Sequence, residues 1–182
     1  MTKFAYFALA LGAFATPQLA LAQDSKAEVT VGSTAGYHDL GVSGEIEDLT
    51  AFEVEDGSAI FGGFVAVDFP INDNLFAGVE GNVSLGTDAI DAEYGASARF
   101  GYRTENGTKL YVRGGYQWID LDLSELTGLD DDVIDPLSED VVDDYLVGVG
   151  AEVPVGDFSL RANLDTVSFD TVRATAGVAF RF

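Results

Sequence analysis

The feature that most constrains this chain is an alternation of apolar and polar residues, with a period of two, that recurs along most of its length. The final segment, 171–182, shows it clearly, because one set of alternate residues is apolar throughout and the other carries Arg173 and Arg181. A period of two indicates a β-strand whose two faces meet different environments. Eight such strands are predicted, at 28–37, 60–69, 75–85, 94–103, 109–118, 144–153, 158–166 and 171–182.

The connections between these strands fall into two classes that alternate along the chain. The short ones carry the Pro, Asn, Asp and Gly residues of tight turns and are 70–74, 104–107 and 154–156. The others, which would meet at the opposite end of the strands, are 38–59, 86–93, 119–143 and a brief 167–170. This layout predicts an all-β protein, an eight-stranded antiparallel up-and-down transmembrane β-barrel.

A soluble eight-stranded barrel is the main alternative, because alternation alone does not say which face points inward. Residue size favours the membrane barrel. Aromatic residues on the apolar face, such as Tyr37 and Tyr145, lie near strand ends, where a membrane barrel has its girdles, whereas strand centres carry smaller residues such as Val79. The opposite face is rich in glycine, which suits the crowded interior of a narrow barrel and would weaken an exposed sheet.

The first residues predict an export signal. Lys3 is followed by an apolar run, Pro17 and the small residues of Ala20-Leu21-Ala22, which is the three-part pattern of a secretory signal peptide. The apolar run is shorter than the roughly 17 to 25 residues of a helical membrane span. We therefore expect a signal peptide at 1–22 and the barrel domain at 23–182.

The charge balance excludes several classes of protein. The chain has nine Lys and Arg residues against 31 Asp and Glu residues, so binding to the anionic backbone of nucleic acid is not expected. Its mean hydropathy is nevertheless positive, at +0.16, so apolar and acidic residues must be segregated. With no cysteine, neither a disulfide framework nor a thiolate metal site is available.

The strand pattern and the ending VAFRF, with Val178, Phe180 and Phe182 on one face, carry a family resemblance. The chain resembles the small outer-membrane β-barrels of Gram-negative bacteria, of the porin-family or opacity-protein type, and is similar to the OmpA transmembrane domain. The resemblance implies a location in the cell outer membrane, in contact with outer-membrane lipid and lipopolysaccharide. It also implies that the barrel-assembly machinery reads Val178, Phe180 and Phe182 as an assembly signal.

The basic residues beyond Lys26 all lie at predicted inward-facing positions, where buried charges need partners. Counting residues through the connections places Glu80 opposite Arg99, and Arg99 opposite Arg113, which predicts a central cluster of these three. By the same counting Asp165 faces Arg173, and Glu28 meets Arg181 where the barrel closes. Because eight strands enclose little more than their own side chains, we expect these ion pairs to form a structural plug in the barrel interior. A gate or selectivity filter is the alternative.

The long connections are acidic and lack Lys and Arg, with seven acidic residues in 38–59, three in 86–93 and ten in 119–143. Solvated loops are expected, with at most weak binding of divalent cations, because no EF-hand spacing occurs. His38 is the one histidine, and no nucleophile is paired with it in the sequence. We therefore predict no catalytic residues, no cofactor, no specific metal site and no enzymatic activity.

These inferences predict an integral outer-membrane protein with a structural or narrow porin-like role in the cell envelope. The alternative is a surface binding protein or adhesin that acts through the acidic loops 38–59 and 119–143.

Overall fold

The computed structural model describes residues 27–40, 57–87, 90–121 and 141–182. No helix with the length and hydropathy of a membrane span occurs in these four ranges. The predicted signal peptide and most of the two long acidic loops lie outside them. The chain forms the strands β1 (Glu28–Asp39), β2 (Gly57–Pro70), β3 (Leu75–Gly86), β4 (Ile90–Arg103), β5 (Lys109–Leu121), β6 (Val141–Val155), β7 (Phe158–Val167) and β8 (Val172–Arg181).

The eight strands form a closed barrel in which every strand pairs antiparallel with its neighbours in the sequence, and β8 pairs with β1. This confirms the predicted fold class. One end of the barrel holds both ends of the described chain and the short turns, and we call it the short-turn end. The opposite end, at which the acidic connections emerge, is the long-loop end.

The strands are staggered around the barrel by ten residues. A path that starts at Glu28 and steps through directly paired residues returns to the same strand at His38. This stagger tilts the strands relative to the barrel axis, because strand number, shear and tilt are linked in a closed sheet. The residues along the path are Glu28, Asp68, Gly78, Arg99, Arg113, Gly148, Asp165, Arg173 and His38.

The apolar face of each strand points outward and the charged face points inward. Val79 in the middle of β3 is 57% exposed and Phe180 on β8 is 53% exposed, whereas their inward neighbours Glu80 and Ala179 are buried. A soluble barrel would have the reverse arrangement. The outward face is therefore suited to lipid, as the distribution of residue sizes predicted.

The strands extend further at the long-loop end than the alternation predicted. β4 begins at Ile90 rather than at residue 94. The alternation missed these first residues because an irregularity in the pairing of β4 with β5, between Ile90 and Ala92, interrupts the two-residue period. Several inward residues near this end are also apolar, which hides the alternation. They form a buried cluster of Ile90, Ile119, Leu146 and Val167.

Two of the tight turns use glycine with a left-handed backbone. Gly107 has φ of 82° in the β4–β5 turn and Gly156 has φ of 64° in the β6–β7 turn. The β7–β8 turn instead holds Ser168 and Phe169 at positive φ. The Thr171 hydroxyl stabilises this turn, because it donates to the carbonyl of Val167 and accepts from the Val167 amide, both at 3.2 Å.

Candidate functional site

The barrel interior concentrates ionisable groups along the path of paired residues. Of the nine positions on the path from Glu28 to His38, seven are ionisable and two are glycine. The glycines make room for carboxylates. A Cβ at Gly78 would lie 2.3 Å from an oxygen of Asp68, and a Cβ at Gly148 would lie 2.0 Å from an oxygen of Asp165. Each of the two glycines on the path therefore leaves space that the carboxylate of the paired residue occupies.

At the short-turn end, Glu28 gathers three cations. It accepts hydrogen bonds or ion pairs from Lys109, from Arg103 at 3.1 Å and from Arg181 at 3.0 Å. The Lys109 ammonium continues inward and donates to Asp68 at 2.5 Å. Lys109 and Asp68 are fully buried, whereas Arg103 and Arg181 remain about a third exposed at the mouth.

In the centre, the chain of ion pairs passes through two arginines. Arg99 holds Asp68 with two parallel hydrogen bonds of 3.0 and 2.6 Å and donates to Glu80 at 2.8 Å. Glu80 also accepts from Arg113 and Arg161, each at 2.6 Å. Because one buried carboxylate faces three guanidinium groups, removing it would leave several uncompensated charges.

At the long-loop end, the pairs converge on the histidine. Arg113 binds Asp165 through both Nε and Nη2, and Arg173 lies 3.5 Å from the same carboxylate. Arg173 also donates to Glu93 at 2.7 Å, and Glu93 bonds the Nδ1 of His38 at 2.8 Å. The result is an alternating chain of basic and acidic side chains through the barrel: Arg181, Glu28, Lys109, Asp68, Arg99, Glu80, Arg113, Asp165, Arg173, Glu93 and His38. We call it the interior ion network, and Arg103, Arg161 and Glu152 branch from it.

Three inward aromatic rings pack among these charges. The Arg161 guanidinium lies 3.8 Å from the centroid of the Phe64 ring, the Arg99 guanidinium lies 4.5 Å from that of Tyr111, and the Lys109 ammonium lies 5.2 Å from that of Phe76. These distances are within the range of cation–π attraction. The rings supply apolar volume while they stabilise the adjacent cations.

Each of these rings covers a glycine on the neighbouring strand. Phe64 pairs with Gly32, Phe76 with Gly101 and Tyr111 with Gly150. A Cβ on any of the three glycines would lie 2.4 to 2.7 Å from the ring opposite. At these three places a large inward residue is therefore paired with a glycine. The pairing of an inward glycine with an inward aromatic residue is the sequence signal from which the rings could have been found.

The structure places the predicted pairs near one another but corrects the register of one of them. Arg99 lies directly opposite Arg113, and Asp165 lies directly opposite Arg173. The residue opposite Glu80 is Ser97, not Arg99, because β4 begins earlier and its hairpin with β3 is two residues tighter than counting implied. The contact still forms because the long guanidinium reaches diagonally.

At the closing seam, Glu28 and Arg181 lie close together although they are not directly opposite. The residue opposite Arg181 is Thr30, and Arg181 reaches Glu28 diagonally at 3.0 Å. Counting through connections also missed the partners that lie across the interior, because they belong to strands that are not neighbours. These are Asp68, Glu93, Lys109, Glu152, Arg161 and His38.

The three residues of the predicted assembly signal, Val178, Phe180 and Phe182, are exposed on the outer side of the barrel. Val178 and Phe180 point outward, and the backbone of Phe182 exchanges two hydrogen bonds with Val29 of β1, at 2.8 and 3.2 Å. Their function as an assembly signal stays a prediction. Among residues 27–40, 57–87, 90–121 and 141–182, no group of three or more potential metal ligands occurs, and weak cation binding by the loops concerns residues that are mostly outside these ranges.

Solved structures of several bacterial proteins have similar folds. The attachment invasion locus protein Ail of Yersinia pestis, in complex with the heparin analogue sucrose octasulfate, has a TM-score of 0.53 at 13% identity, covering 86% of this chain and 97% of that chain. The N-terminal β-barrel domain of Pseudomonas aeruginosa OprF has a TM-score of 0.51 at 14% identity, covering 87% and 98%. Neisserial surface protein A has a TM-score of 0.51 at 16% identity, covering 86% and 96%.

These identities show a shared fold and nothing finer. None of the curated proteins matches the sequence. The family model for the outer membrane protein beta-barrel domain, by contrast, matches residues 6–182. The family and the outer-membrane location predicted from the strand pattern are thereby confirmed, and the chain belongs to the outer membrane protein beta-barrel domain family.

Proposed function

We propose that this protein has a structural role in the cell envelope, as a barrel that its own interior ion network holds together and closes to bulk ion flow. The observation that supports this proposal is the unbroken alternation of basic and acidic side chains, eleven in all, from Arg181 to His38. Each link joins side chains from different strands. The network therefore links the strands through their side chains, in addition to the backbone hydrogen bonds that join each strand to its neighbours.

Geometry and charge balance favour this structural role over a porin-like one. An eight-stranded barrel encloses a space just wide enough for side chains to fill. The interior holds seven basic residues and six acidic partners, so it presents no strong excess of one sign that would select permeating ions. Moving these groups aside would expose buried charges without partners, which is costly.

Single-channel recording of refolded protein in planar bilayers tests the proposal. The expected trace for the wild-type chain has no steady openings at moderate voltage. Glu80→Ala, which removes the carboxylate shared by three arginines, should produce intermittent openings because the centre loosens. Val79→Ala, its outward neighbour, should leave the trace unchanged. Steady large openings of the wild-type protein would contradict the structural role and favour the porin-like one.

A non-enzymatic role is part of the same proposal. His38 is fully buried, and both ring nitrogens are engaged, Nδ1 with Glu93 at 2.8 Å and Nε2 with the Thr171 hydroxyl at 3.1 Å. This order of hydroxyl, imidazole and carboxylate has the form of a catalytic triad. The Thr171 hydroxyl, however, is also bonded to the Val167 backbone, and the imidazole has no exposed surface from which to serve a substrate.

A surface binding role is a second candidate, and the distribution of charge favours it. Six of the 31 acidic residues of the chain belong to the interior network, while all seven basic residues of the described ranges point inward. The described ranges contain nine acidic residues outside the network and no basic residue that points outward, so the outer surface that they form is acidic. A sulfated polyanion like the one bound to Ail is a poor partner for such a surface, and basic molecules are better ones. Shortening 119–143 should abolish partner binding if the loops carry it.

The remaining expected partners follow from the location. Outer-membrane lipid and lipopolysaccharide would contact the outward apolar face, and the barrel-assembly machinery would engage the closing strand. Removing the terminal ring with Phe182→Ala should reduce the amount of folded protein in the outer membrane and leave the refolded barrel intact in detergent. Equal assembly of the two proteins in cells would contradict the assembly-signal hypothesis.

A further inference from the structure

We propose that the outer face of β4, β5 and β6 near the long-loop end is a binding surface for arginine and lysine side chains of a basic polypeptide. The surface consists of Tyr94, Tyr116, Trp118, Tyr145 and Asp143, and we call it the aromatic–carboxylate surface. It goes beyond the structural role proposed above and is independent of the barrel interior.

The rings form one continuous group across three strands. Tyr94 and Trp118 are directly paired between β4 and β5, and their rings stack at 5.6 Å with an interplanar angle of 12°. Tyr116, two residues along β5 on the same face, meets Trp118 edge to face at 5.1 Å. Tyr116 also meets its β6 partner Tyr145 edge to face at 5.6 Å, and Tyr145 is 67% exposed.

Carboxylates adjoin these rings on the same face of the sheet. Asp143 lies directly opposite Trp118 on β6 and accepts a hydrogen bond of 2.5 Å from the Tyr116 hydroxyl. Asp120 follows Trp118 by two residues, so its position faces the same side of β5. The surface therefore combines one exposed ring, Tyr145, and three half-buried rings with an adjacent carboxylate.

This combination matches the chemistry of organic cations. The quadrupole of an aromatic ring attracts a guanidinium or ammonium group, tryptophan most strongly, and an adjacent carboxylate supplies a counterion. A metal ion fits less well, because no group of three or more potential ligands occurs in the parts of the chain that the structure describes. The basic residues of those parts all point into the barrel, so none of them supplies the charge that complements this surface.

An interfacial girdle explains why aromatic residues lie at this level of the barrel, but it does not explain why a carboxylate lies beside them. At the short-turn end, the outward Phe69 pairs with Ala77, and Tyr102 pairs with Leu75 and Leu110. These rings lie among aliphatic residues, as lipid contact requires. Only the long-loop side of β4–β6, within the described ranges, joins four contacting outward rings to a carboxylate.

Trp118 is the single tryptophan of the chain, so its fluorescence reports directly on this surface. The experiment titrates the refolded full-length barrel, in neutral detergent micelles, with an oligo-arginine peptide. We expect a saturable change in Trp118 emission that the corresponding oligo-glutamine peptide does not produce. Tyr145→Leu and Asp143→Asn should each weaken binding about fivefold, in line with the strength of partly exposed cation–π and charged contacts.

Matched variants separate this surface from general attraction to acidic loops. Tyr102→Leu removes an outward ring of β4 at the other end of the barrel and should leave the affinity unchanged. The proposal is overturned if the peptide binds, by fluorescence anisotropy, without changing Trp118 emission, or if it binds Tyr145→Leu and Asp143→Asn as tightly as wild type. A difference in electrophoretic migration between unheated and boiled samples verifies that each variant is folded. If Tyr145→Leu does not fold, Asp143→Asn alone tests the proposal.

Discussion

The inner and outer faces of this barrel are made from alternate residues of the same eight strands, yet they achieve stability in different ways. On the outer face, residues such as Val79 and Val112 are interchangeable apolar groups that need only contact lipid. On the inner face, Glu80 must meet Arg99, Arg113 and Arg161 together. The contrast teaches that apolar burial specifies which face points outward, while specific pairing holds the interior.

The largest expected difference between the two faces comes from adjacent residues of β3. Glu80→Ala should lower the free energy of unfolding by about 3–5 kcal/mol, because three guanidinium groups lose their shared partner. Val79→Ala, on the outer face, should cost less than about 1 kcal/mol. Guanidinium-induced unfolding from phospholipid vesicles measures both. Equal losses would remove the distinction between the faces.

Glycines on the two faces provide the next comparison. Gly148→Ala should destabilise the barrel by about 1–3 kcal/mol, since the new methyl group would displace the Asp165 carboxylate from Arg113. Gly114→Ala is the control, because Gly114 is outward and the nearest atom to its added Cβ, the Leu146 carbonyl oxygen, is 3.9 Å away. The same unfolding measurement applies, and a Gly148→Ala protein as stable as Gly114→Ala would show that the interior has room to spare.

Tyrosine hydroxyls give the smallest expected contrast. Tyr111→Phe keeps the ring over Arg99 but removes its 2.7 Å hydrogen bond to Asn163, and it should cost about 1 kcal/mol. Tyr102→Phe on the outer face should change the unfolding free energy by no more than about 0.5 kcal/mol. If the two substitutions have the same effect, the interior hydrogen bond contributes nothing beyond the ring.

The fold was predictable because alternation is a local property. Eight segments and two classes of connection identify an up-and-down barrel, and aromatic residues at strand ends indicate which face meets lipid. The prediction was least exact at the long-loop end, where Ile90, Ile119, Leu146 and Val167 place apolar side chains on the inner face and the pairing of β4 is irregular. These residues break the period that defines a strand in sequence.

The interior ion network was only partly predictable because its links cross the barrel. Hairpin counting placed Asp165 opposite Arg173 and Arg99 opposite Arg113. The two residues of each pair lie on strands that are hydrogen-bonded to each other. The bond from Glu93 of β4 to His38 of β1 joins strands that share no ladder. Such contacts depend on the stagger of the closed sheet, and the stagger follows from all eight registers together.

The most direct test of the account is a double-mutant cycle between Arg113 of β5 and Asp165 of β7. These strands share no backbone hydrogen bonds, because β6 lies between them, so side chains alone can couple them. The cycle compares the unfolding free energies of Arg113→Gln, Asp165→Asn and the double variant with that of wild type. The account predicts a coupling free energy of about 1.5–3 kcal/mol. A coupling free energy near zero would contradict the claim that the interior ion network holds the barrel together.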